Sequence, residues 1–153
     1  MGDNIGGVVP VDLRLSSETG ERALIISGPN GGGKTLSMKS FGLVSVLTKL
    51  GIPIPIKKGG NRPRVDYFDG IFVNVGDKQS VLDGESTWTS ILNSCATMLQ
   101  TIEEQQEEKN KSSYLVLLDE LGTGTDPASG GAVAQAILEE LIEKSCKVVV
   151  TTH

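Results

Sequence analysis

The chain has 153 residues, 38% hydrophobic and 22% charged, which suffices for one domain with a buried core and is ordinary for a soluble globular fold. Nineteen acidic against fourteen basic residues leave a formal charge of −5, which excludes this segment as the main surface gripping nucleic acid, since such a surface should be basic. No run of about 18 apolar residues exists to span a membrane, and Cys95 and Cys146, far apart and without CxxC or Cys/His spacing, read as reduced, partly buried thiols.

Met1–Gly7 does not read as a signal or transit peptide. Val11–Leu15 alternates apolar and polar residues, predicting a half-buried strand. A turn at Ser16–Glu21 leads into the short apolar run Arg22–Ser27, a buried strand, and then into the glycine-rich loop Gly28–Gly33. From Lys34 to Leu50 the period becomes helical, with Leu43, Val44, Leu47 and Leu50 on the expected apolar face, and Gly51 and Pro53 stop it. Residues 52–70 hold prolines, Gly59-Gly60 and the cations Lys57, Lys58, Arg62 and Arg64, which predicts a basic loop.

Ile71–Val75 reads as a strand. Ser86 to about Lys109 reads as a long helix with the stripe Ile91, Cys95, Met98, Leu99 and Ile102, its polar second half solvated. Tyr114–Leu118 is a continuous apolar run, as in a central parallel strand, ending in Asp119-Glu120. Asp126-Pro127 supplies an N-cap and a first-position proline for a helix to about Lys144 that buries Ala134, Ile137, Leu138, Leu141 and Ile142. Lys147–Thr152 is the last strand, with no closing element after it. Strands alternating with helices predict an α/β fold with a mostly parallel sheet, in one domain over residues 1–153 truncated at both ends, its chemistry at the strand C-termini.

The sharpest motif is Gly28-Pro29-Asn30-Gly31-Gly32-Gly33-Lys34-Thr35, a full G-x-x-x-x-G-K-[ST] match between a strand and a helix. Glycines let backbone N–H groups close around phosphates, and the helix N-terminus adds the positive end of its dipole. Lys34 is expected at the β- and γ-phosphates of ATP, and Thr35 at Mg²⁺. The apolar run before Asp119 delivers that carboxylate to the sheet edge, where it can hold Mg²⁺ through water as the second metal-site residue, and Glu120 stands next to it as general base. His153, the only histidine, follows the last strand; if that strand lies beside the Asp119 strand, its imidazole reaches the γ-phosphate. Gly122–Pro127 reads as a loop leaving the catalytic acid.

In this order the motifs resemble the ABC-type ATPase domain of the MutS family of DNA mismatch-binding proteins. GPNGGGKT, NVGDKQSVLDGESTWTS, LVLLDELGTGTDP and VVVTTH carry the likeness over about residues 8–153. GTGTDP, GDKQS and the stretch Gly42–Pro53 resemble the family's second branch, associated with suppressing recombination and, in some members, with ribosome quality control. The resemblance implies a P-loop NTPase of ABC type, acting as a homodimer with two composite ATP sites. Ser86 and Thr87, with Trp88, match the element that contacts the γ-phosphate of the opposite subunit. The loop containing Gln79 corresponds to the segment coupling nucleotide state to the rest of the protein, Thr125-Asp126 to a loop crossing the dimer interface, and His153 to the switch histidine. It further implies a soluble intracellular protein of open compartment that binds DNA through domains outside this chain, with the ribosome as a further partner by family likeness and no membrane partner. Trp88 stands where Phe is expected, and Gly31 where Thr or Met is usual. Two other readings lead elsewhere. The ATPase head of a chromosome-maintenance or transport protein would carry a Leu-Ser-Gly-Gly-Gln-like loop in residues 76–113, where this chain has Gly-Glu-Ser-Thr-Trp. A nucleotide-gated assembly module with little turnover would not need an intact Lys34, Asp119 and Glu120.

Overall fold

The computed structural model describes residues 11–56, 58–60, 62–75, 87–108 and 112–152, apart from the side chain of Thr87. The elements run β1 (Ala23–Ser27), α1 (Lys34–Lys49), β2 (Gly70–Asn74), α2 (Thr87–Glu108), β3 (Tyr114–Leu118), α3 (Pro127–Glu143) and β4 (Lys147–Thr152). The strands form one four-stranded sheet in the order β1-β4-β3-β2, and every pairing is parallel. The fold is therefore α/β, as the alternating pattern predicts. Among the described residues no helix is long and apolar enough to cross a membrane.

The central strands β3 and β4 are buried on both faces, which explains their unbroken apolar runs. Strand alternation then divides the core in two. Tyr114, Val116, Leu118, Val148 and Val150 point to one side, where they pack with Ile91, Cys95, Met98 and Ile102 of α2 and Ile137 and Leu141 of α3. Leu115, Leu117 and Val149 point to the other, against Met38 of α1 and Phe68. The sheet thus lies between α1 on one face and α2 with α3 on the other.

Three local expectations need correction. Residues 11–16 join no strand; Leu15 instead packs from an irregular segment onto the Met38–Phe68 cluster. The apolar face expected of α1 is also wrong, because Leu43 and Leu50 are 58% and 66% exposed, while Lys34, Met38, Gly42 and Ser45 are its buried residues. Gly42 lies against Leu117, and the buried Ser45 hydroxyl donates to the Phe41 carbonyl at 3.2 Å, so small and self-satisfied residues let α1 sit close to the sheet. Finally, the polar half of α2 is not merely solvated. Gln106 Nε2 donates to the Lys144 carbonyl at 2.7 Å, and Lys144 pairs with Glu103 at 3.5 Å, tying α2 to the end of α3.

Candidate nucleotide and metal site

Because all four strands are parallel, their C-terminal ends share one edge of the sheet. β1 delivers the glycine loop there and β3 delivers Asp119-Glu120, with β4 between them. The loop is built for an anion. Gly33 caps α1 with φ 83°, there is no side-chain cap, and the first turn carries no acidic residue, so the helix presents its N–H groups and positive dipole end toward the loop. Gly31 has φ +79°, a left-handed conformation that glycine adopts without strain. Lys34 is 8% exposed, and its Nζ donates to the carbonyls of Gly28 at 2.6 Å and Pro29 at 3.1 Å. The loop's own oxygens thus hold the ammonium.

Thr35 is the second residue of α1, and its Oγ1 donates to Asp119 Oδ1 at 3.0 Å, joining residues 84 positions apart. A hydroxyl oxygen and a carboxylate oxygen meeting at one point form a hard-oxygen pair of the kind Mg²⁺ takes, with its remaining positions left to water and phosphate. Among the described residues no group of three or more His, Cys, Asp and Glu gathers to hold a metal ion, here or elsewhere. Thr35 and Asp119 are the residues that could hold Mg²⁺ here, the carboxylate directly or through water.

Asp119 is fixed from two further directions. Its N–H donates to the Asn74 carbonyl at 2.9 Å, and its Oδ1 also accepts from Thr151 Oγ1 at 2.5 Å. Glu120 adopts φ 53°, a left-handed conformation that costs a non-glycine residue about 1–2 kcal/mol. Its N–H donates to Thr151 Oγ1 at 2.8 Å, and its carbonyl accepts from Thr123 Oγ1 at 2.8 Å. The peptide flanks of the acid are therefore pinned on both sides.

Beyond Glu120 the chain turns into α3 through residues 121–126. Asp126 caps that helix, accepting from the Ser129 N–H at 2.9 Å, with Pro127 in the first turn. The Ser129 hydrogen bond is also the main reason the Asp126 carboxyl is held below the ordinary range. The loop lies against α3 so closely that a Cβ on Gly130 would come 2.2 Å from the Gly122 carbonyl oxygen. It also approaches the start of α2, since a Cβ on Gly124 would lie 3.8 Å from the Trp88 N and Cβ. The loop after the acid thus connects the glycine-loop edge to the first turn of α2.

Of the expected set, a hydrogen bond joins Thr35 to Asp119, and Lys34 and Glu120 are their neighbours in the chain. Ser86, the Thr87 side chain, Gln79 and His153 lie outside the described residues, although β4 runs beside the Asp119 strand as the expectation for His153 requires. Sequence reasoning missed Thr151 and Thr123. A threonine inside a β-branched run reads as a strand former. The available signal was parity: Leu118 is level with Val150, so Asp119 is level with Thr151 and on the same face.

Among families, the model of MutS domain V matches residues 24–153. Among individual proteins, the chain is 40% identical over 148 residues to the endonuclease MutS2 of Gemmatimonas aurantiaca, covering 97% of this chain and 16% of that protein. Endonuclease MutS2 of Pelotomaculum thermopropionicum is 41% identical over 148 residues, covering 97% and 17%. Endonuclease MutS2 of Carboxydothermus hydrogenoformans is 43% identical over 145 residues, covering 95% and 17%. The chain thus spans about a sixth of the length of these relatives. The matched stretch begins in β1 and takes in the glycine loop, the Thr35–Asp119 pair and β4; by it the chain belongs to the MutS family, as its domain V.

Proposed function

We propose that this domain is a P-loop ATPase of ABC type, hydrolysing Mg²⁺-ATP to ADP and phosphate. The observation that carries the reading is the Thr35–Asp119 contact at 3.0 Å beside an uncapped helix N-terminus and a buried lysine. The glycine-loop N–H groups would bind the phosphates, with Lys34 exchanging its loop carbonyls for phosphate oxygens. Bound Mg²⁺ would supply charge neutralisation at the phosphates, with Thr35 and Asp119 as protein donors. Glu120, on its pinned backbone, is assigned as the base that takes the proton of the attacking water.

In the natural full-length protein we assign this activity to a homodimer with composite sites, gating DNA binding in repair or recombination control. Membership of the MutS family and the likeness to proteins named endonuclease MutS2 support that context. The contact between the loop after Glu120 and Trp88 supports a link between one site and the element assigned to the partner's site. Binding of ATP would then shift the population of clamp states, with a coupling set by its differential affinity for them.

The test is Mg²⁺-ATP binding and turnover by the full-length protein over a range of protein concentrations, with Lys34→Ala and Glu120→Gln beside wild type. The reading expects specific activity that rises with concentration, loss of nucleotide binding in Lys34→Ala, and retained binding without turnover in Glu120→Gln. Undiminished hydrolysis by Glu120→Gln would remove the assigned base. Specific activity independent of concentration down to monomeric protein would remove the composite site.

A further inference from the structure

We propose that Thr151 is a positioning residue for the Asp119-Glu120 pair, its single hydroxyl setting both the metal-site carboxylate and the backbone of the general base; this rests on the ATPase reading above. Thr151 is fully buried in β4, a central strand paired on both sides. Its Oγ1 donates to Asp119 Oδ1 at 2.5 Å and accepts from the Glu120 N–H at 2.8 Å. A hydroxyl has one proton to give and lone pairs to receive, so both bonds form at once and each orients the other. The two residues it holds are the two to which the chemistry is assigned.

Two features make the hydroxyl more than a strand filler. Glu120 sits at φ 53°, and a left-handed non-glycine residue persists only where its surroundings hold it. The Thr151 bond to its N–H is one such hold. The second feature is a division of labour on Asp119. Its Oδ1 accepts from both Thr35 and Thr151. Thr35 could offer a metal its lone pairs while its proton stays on Asp119, so its hydroxyl would be shared between the two. Thr151, whose oxygen already accepts from the Glu120 N–H, serves only the Asp119-Glu120 pair and so aims the carboxylate.

The experiment compares Thr151→Val, which keeps shape and removes the hydroxyl, with Thr151→Ser, which keeps the hydroxyl, in the full-length protein. Thr151→Ala replaces the valine variant should that one fail to fold, and Glu120→Gln is run alongside. For Thr151→Val the proposal expects kcat lowered about tenfold, with KM for ATP changed by less than about twofold. Half-maximal activity should need more Mg²⁺. Without nucleotide or metal, amide hydrogen exchange in a peptide covering residues 119–123 should be faster than in wild type. Thr151→Ser should restore both turnover and exchange protection. Wild-type kcat and exchange in Thr151→Val would overturn the proposal, as would a serine variant as impaired as the valine one, which would show that packing matters and the hydroxyl does not. If Glu120→Gln is inactive while Thr151→Val is fully active, only the role of Thr151 falls. If Glu120→Gln turns over at the wild-type rate, the base assignment falls and takes this proposal with it.

Discussion

Gly130 and Gly131 are neighbours in the second turn of α3, yet alanine at each should move stability in opposite directions. In a helix interior alanine is favoured over glycine by about 1 kcal/mol, and that gain is available at both positions. At Gly131 a Cβ meets nothing within 4 Å, so the gain stands alone. At Gly130 the same atom would lie 2.2 Å from the Gly122 carbonyl oxygen and 3.1 Å from both the Gly122 carbonyl carbon and Thr125 Cγ2. Reaching an ordinary contact near 3.4 Å requires a backbone shift of roughly 1 Å, and the obstructing atom belongs to a loop pinned at Glu120 by Thr123. Overpacking of that kind costs about 1–3 kcal/mol, and here the upper end applies because no flexible side chain can yield. The net expectation for Gly130→Ala is about 2 kcal/mol of destabilisation, or roughly 4–8 °C in Tm for a domain of this size. Gly131→Ala should gain about 0.5–1 kcal/mol, or roughly 1–4 °C. Thermal unfolding followed by the fluorescence of Trp88, the single tryptophan, reads both, and Gly124 beside Trp88 makes the probe sensitive to the loop. Gly130→Ala should also lower ATP turnover, because the displaced loop begins at Glu120. Shifts of the same sign in the two variants would refute the close-approach argument.

Other consequences follow from burial and charge. Leu141 is fully buried between α3 and the sheet, so Leu141→Ala should cost about 2–5 kcal/mol in denaturant titration, with the spread set by how far the site collapses. Burial pushes the Cys146 thiol up to about 11, so the folded state keeps its proton where an unfolded thiol has lost it. Its contribution to stability is intact below the ordinary thiol range and declines as pH rises from there to about 11; alkylation at mildly alkaline pH should label Cys146 only after unfolding. The Asp126 carboxyl is held below its ordinary value, so its N-cap contribution is present above the ordinary carboxylate range and lost as pH falls through its lowered folded value. Asp126→Asn, which keeps a cap acceptor, should flatten that acid-side loss of stability while leaving neutral-pH stability nearly unchanged.

What could be read from the chain was what local chemistry dictates. The glycine loop, the strand ending in Asp119-Glu120 and the Asp126-Pro127 helix start each depend on neighbours within a few residues, and each stands where the pattern places it. The buried face of α1 was not legible in this way. Counting apolar residues favours Leu43, Leu47 and Leu50, but the glycine loop before the helix fixes which side faces the sheet. Lys34 and Thr35 must turn toward the site, so Met38, Gly42 and Ser45 follow inward at helical spacing. Leu36, Leu43 and Leu50, seven residues apart, consequently lie outside. Here the hydrogen bonds of Lys34 and Thr35 at the first turn override hydrophobic periodicity along the rest of the helix.

The same reasoning explains why Asp119 and Glu120 can take different tasks although they are adjacent. In a strand buried on both faces, consecutive side chains point to opposite layers. β3 sends Leu115 and Leu117 toward α1 and Val116 and Leu118 toward α2 and α3, so continuing the alternation puts Asp119 on the α1 side. There it meets Thr35 from α1 and Thr151 from β4, whose preceding same-face residue is Val149. Glu120 would next point into the opposite layer, beneath α2 and α3. Its left-handed φ ends the strand instead and removes it from that alternation. The left-handed bend at Glu120 is thus the physical means by which one strand ends in a carboxylate on the α1 side and, in the very next residue, an acid outside the strand's alternation. Thr151 and Thr123 hold the two sides of that bend.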